Sequence, residues 1–150
     1  MTYRIEQTTV SDKVDQLWPL LEKHVEELVT HPHLMTLKPN LAGYQLAEDH
    51  GLLFSLVAYW GDEVIGYSIN MLTNHMHYSD LVVANNDVLF VTPEHRGTTI
   101  GAMLITDTEQ LAKKLGAQLM QWHVKQNTPM SLLLPRLGCQ VQDIVYSKEI

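Results

Sequence analysis

Cysteine is nearly absent from this chain. Cys139 is the only one, so no disulfide can form within it, and a reducing compartment is the expectation. Positive charge is scarce as well: ten lysines and arginines face seventeen aspartates and glutamates, a formal net charge of −7. Nucleic acids and anionic membranes reward dense Lys/Arg, so neither is expected as a partner. No apolar run approaches the ~20 residues that a membrane-spanning helix needs. MTYRIEQTTV has no basic stretch followed by an apolar core, so no signal peptide is read there. Repeats, low-complexity tracts and linkers are also missing. What remains is one cytoplasmic domain over 1–150, whose 45% hydrophobic residues suffice for a real core.

Periodicity supplies the elements. YRIEQ (3–7) alternates as a short strand, and Ser11-Asp12 offers a helix cap. Val14, Leu17, Leu21, Val25 and Leu28 then predict a helix over 12–30, with Pro19 inside it as a kink or a late start. Residues 30–50 read as a loop with a short helix at 41–48. LLFSLVAYW (52–60) and EVIGYSINMLT (63–73) form a hairpin across Gly61-Asp62, and a third long strand covers 81–91. A helix follows over 99–115, closed by Lys113, Lys114 and Gly116. A strand at 117–124, a short helix from Thr128-Pro129 to Gly138, and a final strand or strand pair in CQVQDIVYSKEI complete the chain. A strand–helix–strand unit over 81–124 implies a parallel pair, and the hairpins before it imply antiparallel pairing. The fold class is α/β (α+β): a mixed, mostly antiparallel twisted sheet flanked by helices.

VTPEHRGTTIGA (91–102) is the stretch with chemistry in it. A strand runs into a Gly-containing turn and then a helix N-terminus, which leaves unpaired backbone N–H groups and the positive end of the helix dipole. Such a turn can cradle an anion or simply serve as a turn. No Gly-Lys-Ser/Thr follows, so it is not a P-loop, and its glycine offsets are not those of the dinucleotide fingerprint.

Val91-Thr92-Pro93-Glu94-His95-Arg96-Gly97-Thr98-Thr99-Ile100-Gly101-Ala102 resembles the signature segment of the GCN5-related N-acetyltransferase (GNAT) superfamily, whose members use acetyl-CoA. Asn127, Met130, Leu133-Leu134 and Gly138-Cys139 stand at the intervals of its later pattern. The resemblance implies that a central parallel strand pair splays to hold CoA. It implies that backbone amides of Arg96, Gly97, Thr98, Thr99, Ile100, Gly101 and Ala102 bind the pyrophosphate. Pantetheine would bond to the main chain of Phe90 and Val91, the Val91 N–H would polarise the thioester carbonyl, and Asn127 would contact the CoA arm. A homodimer is also compatible with it. Two departures stand out: Thr99 replaces a glycine of the pattern, and Leu134 replaces the tyrosine that often protonates the leaving thiolate. Ser131 or water is left to substitute.

An alkylamine acceptor has a pKa near ~10 and must lose a proton before it attacks. Asp87 is the first candidate base, since it shares a strand face with Leu89 and Val91 by alternation. His123, four residues before Asn127, is the second. The plainer readings are a solvated Asp87 and a core His123 satisfied by one hydrogen bond. The pairs His31/His33 and His75/His77 lie in predicted loops without ligand-like partners, so no metal is expected. The leading expectation is direct acetyl transfer from acetyl-CoA to a primary amine, on a small molecule or a protein. A non-catalytic acetyl-CoA-binding sensor on the same fold is the alternative, and an α/β nucleotide binder is a third.

Overall fold

The hairpin read from LLFSLVAYW and EVIGYSINMLT forms the middle of the sheet. A computed structural model describes all 150 residues. In chain order the elements are β1 (Tyr3–Thr8), α1 (Val10–Leu28), α2 (Leu41–Asp49), β2 (Leu53–Trp60), β3 (Glu63–Asn74) and β4 (Val82–Val91). A 3-10 turn at Pro93–His95, α3 (Ile100–Lys114), β5 (Leu119–Gln121) and α4 (Pro129–Arg136) follow. The strands lie in the order β1-β2-β3-β4-β5, antiparallel up to β4, with β5 parallel to β4 across the α3 crossover.

Alternation along β2 splits the core in two. Leu53, Val57 and Tyr59 join Leu17 and Leu20 of α1, together with Tyr67, Ile69 and Phe90. Phe54, Leu56 and Ala58 face Ile100, Leu104 and Ala112 of α3 on the other side. Both faces of the central strands are therefore covered, at roughly 1.5–3 kcal/mol for each large side chain taken out of water.

The structure departs from the sequence reading at three places. The α1 cap is Thr9, whose side chain accepts from the Asp12 N–H, rather than Ser11-Asp12. Glu48 of α2 takes the Val10 N–H at 2.6 Å and the Ser11 hydroxyl at 2.5 Å, so Ser11 is drawn into a contact between helices. The strand expected over 117–124 holds only three residues. The tail forms no strand: its Val141, Ile144, Val145 and Tyr146 are exposed. Without tail pairing, β5 is the sheet edge.

Candidate active site

The parallel ladder is short. It pairs Val83, Ala84 and Asn85 with Leu119, Met120 and Gln121, and stops. β4 continues to Val91, so residues 86–91 have β3 on one side and no strand on the other. The Thr92 N–H donates to the Ile65 carbonyl at 2.8 Å. Alternation in an antiparallel pair then turns the main chain of Phe90 toward β3, opposite Tyr67, and that of Leu89 and Val91 toward the open side. The Val91 carbonyl confirms the direction, because it accepts from Arg96 Nε at 2.8 Å.

At the end of this edge lies the turn into α3. Gly97 has φ +77°, a left-handed conformation that strains any residue with a Cβ. The α3 cap, Thr99, makes no side-chain cap bond. The Ile100 N–H reaches only Thr98 Oγ1, at 3.4 Å. No backbone carbonyl accepts from Gly97, Thr98, Thr99, Gly101 or Ala102. A Cβ at Gly97 or Gly101 would meet nothing within 4 Å, so the space above these donors is open. Converging amides at a helix N-terminus, with room before them, suit a phosphate.

At the start of the open edge, just past the ladder with β5, β4 bulges. Ile69 pairs with Val88 and Asn70 with Asn86, which leaves Asp87 as the extra residue. The Asn86 side chain closes the bulge by donating to the Val88 carbonyl at 3.1 Å and to Asn70 Oδ1 at 2.9 Å. Asn70, Ser68 and Thr108 continue this buried network. Desolvation raises the Asp87 pKa, and the charge of His123 opposes that shift. The Asp87 side chain still reaches solvent, so the desolvation is partial. His123 is thus near enough for its charge to act on Asp87.

A second layer went unread in the sequence. His24 of α1 is buried, and its Nδ1 lies 2.6 Å from the Tyr67 hydroxyl. It stacks on Phe90 with ring centroids 4.9 Å apart. Burial lowers the His24 pKa to about 4, against the opposing pull of Glu27. Burial also raises Tyr67, as does the proximity of Tyr44, Glu27 and Asp87. Arg96 spans the layer: its guanidinium lies 5.3 Å from the Phe90 ring centre and donates to Glu27 at 2.8 Å. The available signal was a histidine on the apolar stripe of α1, one heptad after Leu17.

A family model described as "Acetyltransferase (GNAT) family" matches residues 17–138. The chain belongs to the GNAT family. No curated protein matches it. Among solved structures, an aminoglycoside acetyltransferase from an uncultured soil metagenomic sample superposes with a TM-score of 0.79 at 17% identity, covering 100% of this chain and 99% of that one. Glucosamine-6-phosphate N-acetyltransferase from Arabidopsis thaliana gives 0.74 at 13% identity, with 99% of each covered. AAC(6')-Iy, in complex with the bisubstrate analogue CoA-S-monomethyl-acetylneamine, gives 0.72 at 18% identity with 100% of each covered. At these identities the likeness is one of fold.

The remaining candidates of this GNAT chain are scattered. Asn127 is exposed at φ 59°, in the turn between β5 and α4. Leu134, at the tyrosine position of the pattern, is buried. Ser131 is committed to the α4 capping box, donating its hydroxyl proton to the Thr128 carbonyl at 2.7 Å. His95 packs away from the amide turn, against Tyr3 and Trp60. Cys139 is half-buried, and burial raises its thiol pKa. His31 and His33 meet the tail at Ser147 and Glu149.

Proposed function

We propose that the chain transfers an acetyl group from acetyl-CoA to a primary amine within a ternary complex. The observation that carries this is the coincidence of an open β4 edge with five unaccepted amides at its end. The pyrophosphate would bind the amides of residues 97–102, since the Arg96 N–H already donates to the Pro93 carbonyl at 3.2 Å. Pantetheine would run along the open main chain of Leu89 and Val91, with Arg96 moving off the Val91 carbonyl to admit it, and Asn127 would meet the CoA arm. The Phe90 main chain faces β3 and is not available to it. The Val91 N–H donates to the thioester oxygen. Asp87, with His123 beside it, takes the proton as the amine nitrogen attacks. The N–C bond forms, the C–S bond breaks, and the thiolate leaves to be protonated by water. The homodimer belongs to this reading as well, since the tail's exposed apolar residues offer a surface for a second copy.

Calorimetry with acetyl-CoA and a free-thiol assay over an amine panel test the reading. Binding with thiol release is expected. Asp87→Asn should lower kcat by about 10²-fold and leave the acetyl-CoA Kd unchanged. It should also remove the limb on which activity rises with pH through the raised Asp87 titration, because the deprotonated carboxylate is the active form. No binding at millimolar acetyl-CoA would overturn the reading. Binding with no thiol release would favour a non-catalytic sensor, which buried Leu134 and committed Ser131 support.

A further inference from the structure

A cavity of about 330 Å³ lies between α1, the 29–41 connection, α2 and the bulged part of the β3–β4 pair. Twelve of its sixteen lining residues are hydrophobic, among them Val14, Leu21, Val25, Met35, Leu37 and Val88. Polar atoms reach it only from His24, Thr36, Lys38 and the Tyr44 hydroxyl among the side chains, so no carboxylate lines it. Val88 lines the cavity, and Asp87 precedes it in β4 as the extra residue of the bulge. Tyr44 also lies near Asp87: burial raises the Tyr44 pKa, with Asp87 and Glu48 as the nearby charges.

The carboxylates around this space are mostly committed. Glu27 holds Arg96 at 2.8 Å. Glu48 holds the N-terminus of α1 at Val10 and Ser11. Asp87 makes no protein hydrogen bond or ion pair, and it precedes the cavity-lining Val88 at the bulge, on the part of β4 that β5 leaves uncovered. One free carboxylate matches one ammonium group. A polyamine or aminoglycoside would bring further charges into an apolar wall with nothing to pair them, and Lys38 would repel them.

We propose that the acceptor is a small monoamine with an apolar body, aliphatic or aryl, whose body fills this cavity and whose nitrogen lies at Asp87. This rests on the acetyl-transfer reading and names its substrate class. The volume is near the lower end for ligand pockets, roughly 300–1,000 Å³, which favours a small amine over a peptide N-terminus.

The experiment measures thiol release by the full chain with acetyl-CoA and hexylamine, phenethylamine, spermidine, kanamycin or a tetrapeptide with an apolar first residue. The two apolar monoamines should exceed the others in kcat/KM by at least about tenfold. Val25→Trp fills the cavity and should raise the monoamine KM by about tenfold without changing the acetyl-CoA Kd. Met35→Asp, at a position 48% exposed and tolerant of change, should raise it too. Methyl NMR of the valines reports phenethylamine binding without acetyl-CoA, and Val14, Val25 and Val88 should shift. Preference for spermidine, kanamycin or the peptide would overturn the assignment, as would unmoved valine methyls. If acetyl-CoA fails to bind, the acetyl-transfer reading fails, whatever the valine methyls show. If acetyl-CoA binds and neither monoamine is acetylated, the substrate class is wrong.

Discussion

His24 shows how a single side chain can couple this fold to pH. It is 6% exposed, its Nδ1 is committed to Tyr67, and its pKa is lowered to about 4 from an ordinary 6.5. Between those values the unfolded chain binds a proton that the folded chain does not, so stability falls as pH falls. The contribution is complete above about pH 6.5 and lost as pH drops through 4. It amounts to on the order of 3 kcal/mol. Urea unfolding at pH 7.5 and 5 should show it as a difference between wild type and His24→Phe. The wild type loses on the order of 2 kcal/mol more between these two pH values. Equal losses would mean that His24 carries no such coupling. The sequence hid this pair because its members are 43 positions apart, on different elements. Only the apolar stripe of α1 marked His24, and nothing marked Tyr67 as its partner. Spacing to Asn127 marks His123 and alternation marks Asp87, but the bulge breaks that alternation at Asp87, so the face expected to join it to Leu89 and Val91 is not set by period two. That one acts on the charge of the other required the fold.

At the level of elements, the turn into α3 is the part that sequence reading located best. A strand, a Gly-rich turn and an amphipathic run are local features, and local features leave a trace in spacing. The bulge in β4 leaves none, because a register slip depends on the facing strand. Asn85-Asn86-Asp87 reads as ordinary polar strand until Asn86 is seen tying Val88 across the extra residue. The α3 turn yields a prediction in which stability and binding move in opposite directions. Gly101 lies in the first turn of α3, with nothing near its absent Cβ. Gly101→Glu removes a helical glycine, worth about 0.5–1 kcal/mol, and adds a carboxylate near the positive helix end, worth about 0.3–1 kcal/mol. The melting temperature of the ligand-free protein should therefore rise. Acetyl-CoA affinity should fall by at least tenfold, roughly 1.4 kcal/mol, because the carboxylate competes for the donors that the pyrophosphate needs. A variant that melts higher and still binds acetyl-CoA normally would place the phosphate elsewhere.

Across the whole molecule, the element order and both sheet directions follow from hydrophobic period and connection length, and these survive in the structure. The tail does not follow them. Its Val141, Ile144, Val145 and Tyr146 carry strand-like composition, but composition cannot say which edge a strand will meet. In one chain they meet none. No backbone hydrogen bond involves residues 140–150. Three side-chain contacts hold the tail in place: Gln121 to Gln142, His31 to Ser147, and the exposed His33–Glu149 pair. Such surface contacts contribute about 0–1 kcal/mol each. Hydrogen exchange should therefore divide the molecule. Amides of β2 and β3 should exchange only through global opening, while those of 140–150 exchange near the rate of free chain at low micromolar concentration. A second copy would cover the same apolar residues, and pairing on the β5 edge would give their amides acceptors. Protection of 141–146 should then rise at several hundred micromolar, together with a sedimentation shift to the dimer. Protection without that shift would mean the tail folds back within one chain, and neither change would remove the homodimer from the proposed function.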